Sequence, residues 1–139
     1  MRSKLKGVTW LELLVTLAII GILVAMLVPR YTGNVEHARA NEAFGNLKLI
    51  LAGQRVYRLK SGFYLPFAGT ANVAQINQFL RLKLEEKSFT YTVTGTPSTF
   101  TATAARLSTA PAPYNNNLYQ MDQNGIMTTA NGGFQPPQD

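Results

Sequence analysis

From Val8 to Val28 the chain runs for 21 residues with a single charge, Glu12. The stretch reads "VTWLELLVTLAIIGILVAMLV". As a helix it covers about 31 Å, close to the hydrocarbon thickness of a bilayer. Its Leu, Ile, Val and Ala content suits insertion into lipid. A carboxylate inside such a run is costly and needs a physical reason. The run follows "MRSKLKG", a leader with Arg2, Lys4 and Lys6 ahead of Gly7. Three positive charges at this end predict that it stays cytoplasmic while the rest crosses.

The leader also shapes the composition. The formal net charge is +6, but beyond residue 7 there remain 10 Lys and Arg against 7 Asp and Glu, or +3. That balance is a weak footing for nucleic-acid binding. The chain has no cysteine, which excludes disulfides, thiolate metal sites and a cysteine nucleophile. A single histidine, His37, leaves little room for imidazole-based chemistry.

Three readings of the amino-terminal segment compete. A secretory signal peptide has a shorter apolar core and a small-x-small cleavage site behind it. Here the run is long, and "VAMLVPRY" offers no such site. A plain single-span anchor requires no special leader and leaves Glu12 unexplained. The third reading takes the order as the signal: basic leader, glycine, then an apolar run with an acid at its fifth position. This order resembles the amino terminus of type IV pilin-like precursors, which carry class III signal peptides. The matching residues are Gly7 before the cleavage point, Val8 as the new amino terminus, Glu12 at the fifth mature position, and "LLVTLAIIGILVAMLVP". Gly21 and Pro29 stand where such proteins carry a helix-softening glycine and a proline. The resemblance covers residues 4–31. The chain departs from it at Val8, where the family usually has Phe, and in "TW" where "TL" is common.

The resemblance implies cleavage between Gly7 and Val8 by a prepilin peptidase, followed by N-methylation of Val8. It also implies a division into a leader (1–7), a transmembrane and polymerisation helix (8–29) and a globular domain (30–139) on the far side of the membrane. The new ammonium at Val8 and the carboxylate of Glu12 are each costly to bury alone. Paired between neighbouring subunits, they offset each other only in the correct axial register. The competing reading is a Glu12 that snorkels to the headgroups. For Gly21 and Pro29 the alternatives are a stretch able to kink or melt on packing and simple tolerance within a membrane helix.

Past Pro29 the apolar pattern becomes one-sided. Val35, Ala38, Ala43, Phe44, Leu47, Ile50, Leu51 and Tyr57 follow helical spacing. Together the two halves predict one helix from about Thr9 to Lys60, stopped at Ser61 and Gly62. Arg55, Arg58 and Lys60 suit its carboxyl-terminal dipole. "SGFYLPFAGTAN" reads as a loop, and "VAQINQFLRLKLEEK" as a short helix with Ile76, Phe79, Leu80 and Leu84 on one face. "SFTYTVTG" and "TFTATAARL" alternate as strands. "APAPYNNN" reads as irregular, and "LYQMDQNGIMTT" as a strand or a hairpin around Asn124-Gly125. The tail "NGGFQPPQD" reads as flexible. The expected fold class is α+β: a long amino-terminal helix, its hydrophobic half protruding, packed through its carboxyl-terminal half on a small antiparallel sheet in a pilin-like roll.

No catalytic constellation stands out, and no cofactor or metal is expected. Asp122 in "MDQNG" reads as a turn-capping residue, with a calcium ligand as the alternative. The threonine-rich strands suit either a polar strand face or glycan attachment. The expected function is a structural subunit of a type IV pilus or pilus-like filament. It begins as a single-pass inner-membrane precursor and ends in an extracellular pilus or a periplasm-spanning pseudopilus. Its implied partners are further copies in a helical filament, the prepilin peptidase, and an inner-membrane assembly platform with its ATPase. A pseudopilin of type II secretion is the alternative within that class. From another class comes a minor pilin acting as a DNA- or surface-binding module, for which Arg55, Tyr57, Arg58 and Lys60 stand close together.

Overall fold

The computed structural model describes residues 7–135, with the side chains of residues 28–30 outside the description. Helix α1 spans Trp10–Ser61, 52 residues, within a residue of the expected bounds at each end. The chain divides between Val35 and Glu36 into two compact units.

The second unit contains the remainder of α1 and everything after it. Its strands are β1 (Phe67–Ala71), β2 (Phe89–Gly95), β3 (Phe100–Arg106), β4 (Leu118–Asp122) and β5 (Met127–Ala130). They form one antiparallel sheet in the order β1-β2-β3-β4-β5, a meander with β3 at its centre. A short helix, α2 (Val73–Leu80), lies between β1 and β2.

Period-two alternation decides which face is buried. Phe89, Tyr91 and Val93 of β2, Phe100, Ala102 and Ala104 of β3, and Tyr119 and Met121 of β4 point inward. Thr90, Thr92, Thr101 and Thr103 fall on the opposite face. Register sets small against large: Tyr91 pairs with Ala104, which pairs with Tyr119. The alanines of β3 make room at the middle of the sheet for Phe44, Leu47, Ile50 and Leu51 of α1, which join the same core. Phe44 meets Tyr119 edge-on at 4.8 Å between ring centroids. Each such side chain contributes about 1.5–3 kcal/mol on burial.

The buried stripe of α1 differs from the expected one at both ends. Ala38 is exposed and Tyr57 only half-buried. The stripe instead runs from Glu36 through Ala40 to the fully buried Gln54. Both polar residues are there because each finds partners. Gln54 receives the Leu65 N–H at 2.9 Å and donates to the Leu65 carbonyl at 3.4 Å, so it ties the loop after α1 to the helix. Glu36 accepts Nε and Nη2 of Arg106, at the end of β3, at 3.0 and 3.1 Å. Arg39 binds the same carboxylate, and the Arg106 guanidinium also donates to the Ser88 carbonyl. Burial pushes the Glu36 carboxyl upward. The hydrogen bonds and charge of Arg106, then of Arg39, outweigh it and hold the carboxyl below the usual glutamate range.

Three other local expectations are corrected. Residues 67–71, read as loop, form edge strand β1. Gly69 there has φ +100°, and the pairing shifts register between Phe67 and Ala71. Helix α2 ends at Leu80, not near Lys87. Arg81 turns left-handed (φ 55°), and the Asn77 amide clasps both the N–H and the carbonyl of Leu84, at 2.8 and 2.9 Å. Ile76 and Leu80 are buried, whereas Phe79 stays exposed and meets Phe67 edge-on. The described part of the tail is docked: Phe134 stacks on Tyr114 and meets His37 edge-on, and its N–H donates to the Tyr119 hydroxyl at 3.2 Å. Gly133 permits this, because a Cβ there would stand 2.7 Å from Cε1 of Tyr119.

Candidate membrane and assembly segment

Thr9 precedes the first helical residue and Glu12 is the third. The Glu12 N–H donates to Thr9 Oγ1 at 3.2 Å, and the Thr9 N–H reaches Glu12 Oε2 at 3.5 Å. This reciprocal pair is a capping box, and it satisfies two of the amide donors that a helix start leaves open. Glu12 also lies where a negative charge favours the helix dipole. The T-x-x-E spacing of this box stands in "TWLE".

Gly7 and Val8 come just ahead of this turn. Both are outside the helix and exposed, and a Cβ at Gly7 would meet nothing within 4 Å. The Gly7–Val8 peptide bond thus lies on exposed chain ahead of α1. Residues 1–6 of the leader lie outside the described residues.

Beyond the cap, every large apolar side chain from Val8 to Leu27 is between 46 and 76% exposed. An all-round apolar surface suits lipid or a bundle of helices rather than one side of a sheet. Its most apolar 18-residue stretch has a mean hydropathy of 2.8 and none of it is buried, so this helix is long and apolar enough to cross a membrane. Its polar groups are handled locally, as Thr16 Oγ1 donates to the Leu13 carbonyl at 2.8 Å. The helix continues through Gly21, where a Cβ would meet nothing within 4 Å. Pro29 falls inside the helix span, and its side chain lies outside the described residues.

Away from this segment, the other candidate residues have local tasks. Asp122 caps the β4–β5 turn: Oδ1 accepts the Asn124 and Ile126 N–H groups at 2.9 and 2.8 Å, and Oδ2 accepts Asn124 Nδ2 at 3.2 Å. Gly125 completes that turn at φ +88°, as expected of an Asn-Gly hairpin. Among the described residues no three of His, Cys, Asp and Glu gather into a metal-holding group. Of the basic-aromatic set near the end of α1, Tyr57 packs against the core and meets Phe63 edge-on at 6.1 Å, so its ring is not a free stacking platform. Arg58 lies over the Tyr64 ring, 4.7 Å from its centroid, and donates to its hydroxyl at 2.9 Å. The Glu36–Arg106 pair carried no sequence signal, because 70 residues separate its members.

Comparison with known proteins agrees with this picture in part. No family model matches the chain, and no solved structure matches it. It is 33% identical over 63 residues to type II secretion system core protein G of Pseudomonas aeruginosa. The match takes in 45% of this chain and 44% of that protein, so the chain spans less than half the length of the curated relative it matches. A long amino-terminal helix followed by a five-stranded antiparallel sheet, together with this relative, agrees with the type IV pilin-like resemblance.

Proposed function

We propose that the chain is a structural subunit of a pilus-like filament, made as a single-pass inner-membrane precursor and assembled through residues 8–29. The observation that carries the reading is the apolar helix with every large side chain exposed and one acid, Glu12, in its first turn. Such a surface is stable in lipid, and equally stable against identical helices, so one segment serves as anchor and then as filament core. In this reading a prepilin peptidase hydrolyses the Gly7–Val8 bond and the new Val8 amine is methylated. Glu12 then trades its bond to Thr9 for the ammonium of a neighbour, and only the correct register leaves neither charge alone. Within the filament class, the similarity to type II secretion core protein G favours a pseudopilin that stays in the periplasm, driven by an assembly ATPase and membrane platform. A type IV pilus subunit is the second reading. The protein's task is mechanical and carries no catalytic step.

Intact mass measurement of the mature protein tests the proposal. The expected mass lacks residues 1–7 and gains one methyl group on Val8. A mature chain that begins elsewhere would overturn it. Electron microscopy of sheared fibres from cells expressing the chain with either machinery then separates pseudopilus from pilus.

A further inference from the structure

Edge strand β1 leaves the ladder of β2 at its middle. Phe67 pairs with Gly95 and Ala71 with Val93, so Ala68, Gly69 and Thr70 stand opposite Thr94 alone. One residue is unable to match the backbone groups of three, and the strand bulges. A cavity of about 430 Å³ opens at this bulge, with Thr70, Thr94, Thr96, Thr99 and Thr101 in its lining. A second, of about 260 Å³, shares Phe67 and Thr70 with the first and adds Gln75 and Phe79 of α2. Although the chain carries a formal charge of +6, no charged side chain among the described residues lines either cavity.

The groups that remain are hydroxyls, one amide and a ring. Thr96 and Thr99 bond to each other through their Oγ1 atoms at 3.1 Å. The hydroxyls of Thr70, Thr94 and Thr101 have no hydrogen-bonding partner among the described residues, and Thr94 pairs with Thr101 in register. Gln75 gives Oε1 to the Asn72 N–H at 3.1 Å as half of the α2 capping box, which holds its amide and leaves Nε2 to donate. Phe79 is 53% exposed, and its ring meets Phe67 edge-on, 6.3 Å between centroids. A hydroxyl both donates and accepts, and an exposed ring offers an apolar face. Together they suit a neutral sugar, whose hydroxyls exchange hydrogen bonds while its C–H face lies on the ring. An ionic ligand finds no counter-charge here. A wholly apolar one would take water from five threonines and return no hydrogen bond. An extended peptide would need a continuous strand edge, which the bulge interrupts.

We infer that the β1 bulge, with Thr94 and Thr101 on one side and Phe79 on the other, is a binding site for a neutral disaccharide unit. Each cavity has room for one pyranose ring, and the shared Phe67 and Thr70 mark the place of the glycosidic link. The site lies wholly within the globular unit, so it goes beyond the filament reading and does not require assembly. A single shallow site of this kind binds weakly. Repeated along a fibre, many such sites would hold one polysaccharide together.

The test uses the full-length chain in a zwitterionic detergent, so that no sugar headgroup competes. Cellobiose, maltose, lactose and chitobiose are the probes, read by saturation-transfer NMR and calorimetry. At least one should bind, with Kd between about 0.1 and 10 mM. Phe79→Ala should weaken that binding by about tenfold or more, and Phe79→Tyr should keep it. Thr94→Val, which removes a hydroxyl and keeps the shape, should weaken it by about threefold to tenfold. Phe63→Ala removes an exposed ring outside both cavities and should leave binding unchanged. Amide spectra of each variant that match the wild type show that the fold is kept. Absence of transfer from every probe at about 10 mM, or binding that Phe79→Ala does not move, would overturn the inference. So would a Phe79→Ala chain that loses filaments while its sugar binding stays intact, since the ring would then serve a contact between subunits.

Discussion

Helix α1 carries Glu12 in one unit and Glu36 at the start of the other, and the two live by different rules. Glu12 stands in the first turn of an exposed apolar stretch, with Thr9 of its own chain as its hydrogen-bonding partner. Glu36 is 3% exposed and holds Arg106 through two bonds from across the fold, with Arg39 added from the next turn. The same side chain is thus locally capped in one unit and globally committed in the other. A carboxylate with only a local partner remains available to another molecule. One enclosed by two guanidiniums defines its own fold and is spent there. The folded unit buries its apolar side chains in its own core, while those of the apolar segment stay exposed.

Substitutions at the two acids should therefore fail in different assays. On the proposed filament reading, Glu12→Ala should leave insertion and cleavage intact but strand the neighbour's amine. Breaking a buried pair in this way costs about 3–5 kcal/mol, so filament yield should fall by about a hundredfold or more. Normal yield would erase the contrast between the two glutamates. Arg106→Ala should destabilise the globular unit by about 3–5 kcal/mol in urea titrations of the detergent-solubilised chain, because Glu36 is left buried and alone. The double change Glu36→Leu with Arg106→Met should come out near neutral or more stable, since a well-packed apolar pair avoids the desolvation cost. Equal losses in the single and double variants would argue that the pair contributes net stability.

Acid titration sharpens the same comparison at a smaller scale. The folded carboxyl of Glu36 lies below its unfolded value, so its contribution is fully present above about pH 4.3 and is lost as pH falls through the lower folded value. The urea midpoint should fall on acidification through this window, and Glu36→Gln should flatten that dependence while starting less stable. Burial pushes the hydroxyls of Tyr91 and Tyr119 up, so stability should fall again above about pH 10, when the unfolded chain ionises first. The smallest effect is expected at the tail. Gly133→Ala drives a methyl into Tyr119 and should cost about 1–3 kcal/mol, read as earlier proteolysis after residue 130. Glu12→Ala should leave this cleavage unchanged.

What the sequence disclosed follows from how local each signal is. The bounds of α1 were legible because a long apolar run, a one-sided stripe and a Ser-Gly stop are all contiguous. The strand pairs β2–β3 and β4–β5 were legible from alternation and from Asn124-Gly125. Strand β1 was hidden because its bulge and the left-handed Gly69 erase the period of two. The early end of α2 depends on the Asn77 side chain reaching Leu84, a bond no periodicity encodes. Phe134 looked like part of a loose tail because its partners, Tyr114, Tyr119 and His37, come from three separate places. At the amino-terminal site, Gly7, Val8 and Glu12 stood out by their order. The role of Thr9 was equally readable but needed the question of where the first amide groups find acceptors.

The position of Glu36 also bears on mechanics. Tension carried along the backbone from residue 35 enters the globular unit at Glu36, its first residue. The ion pair to Arg106 passes that load directly to β3, which is flanked by two strands on each side. Peeling of the packed part of α1 from that end has to break this pair first. A fold that is pulled by its helix is gripped at the strand least able to leave.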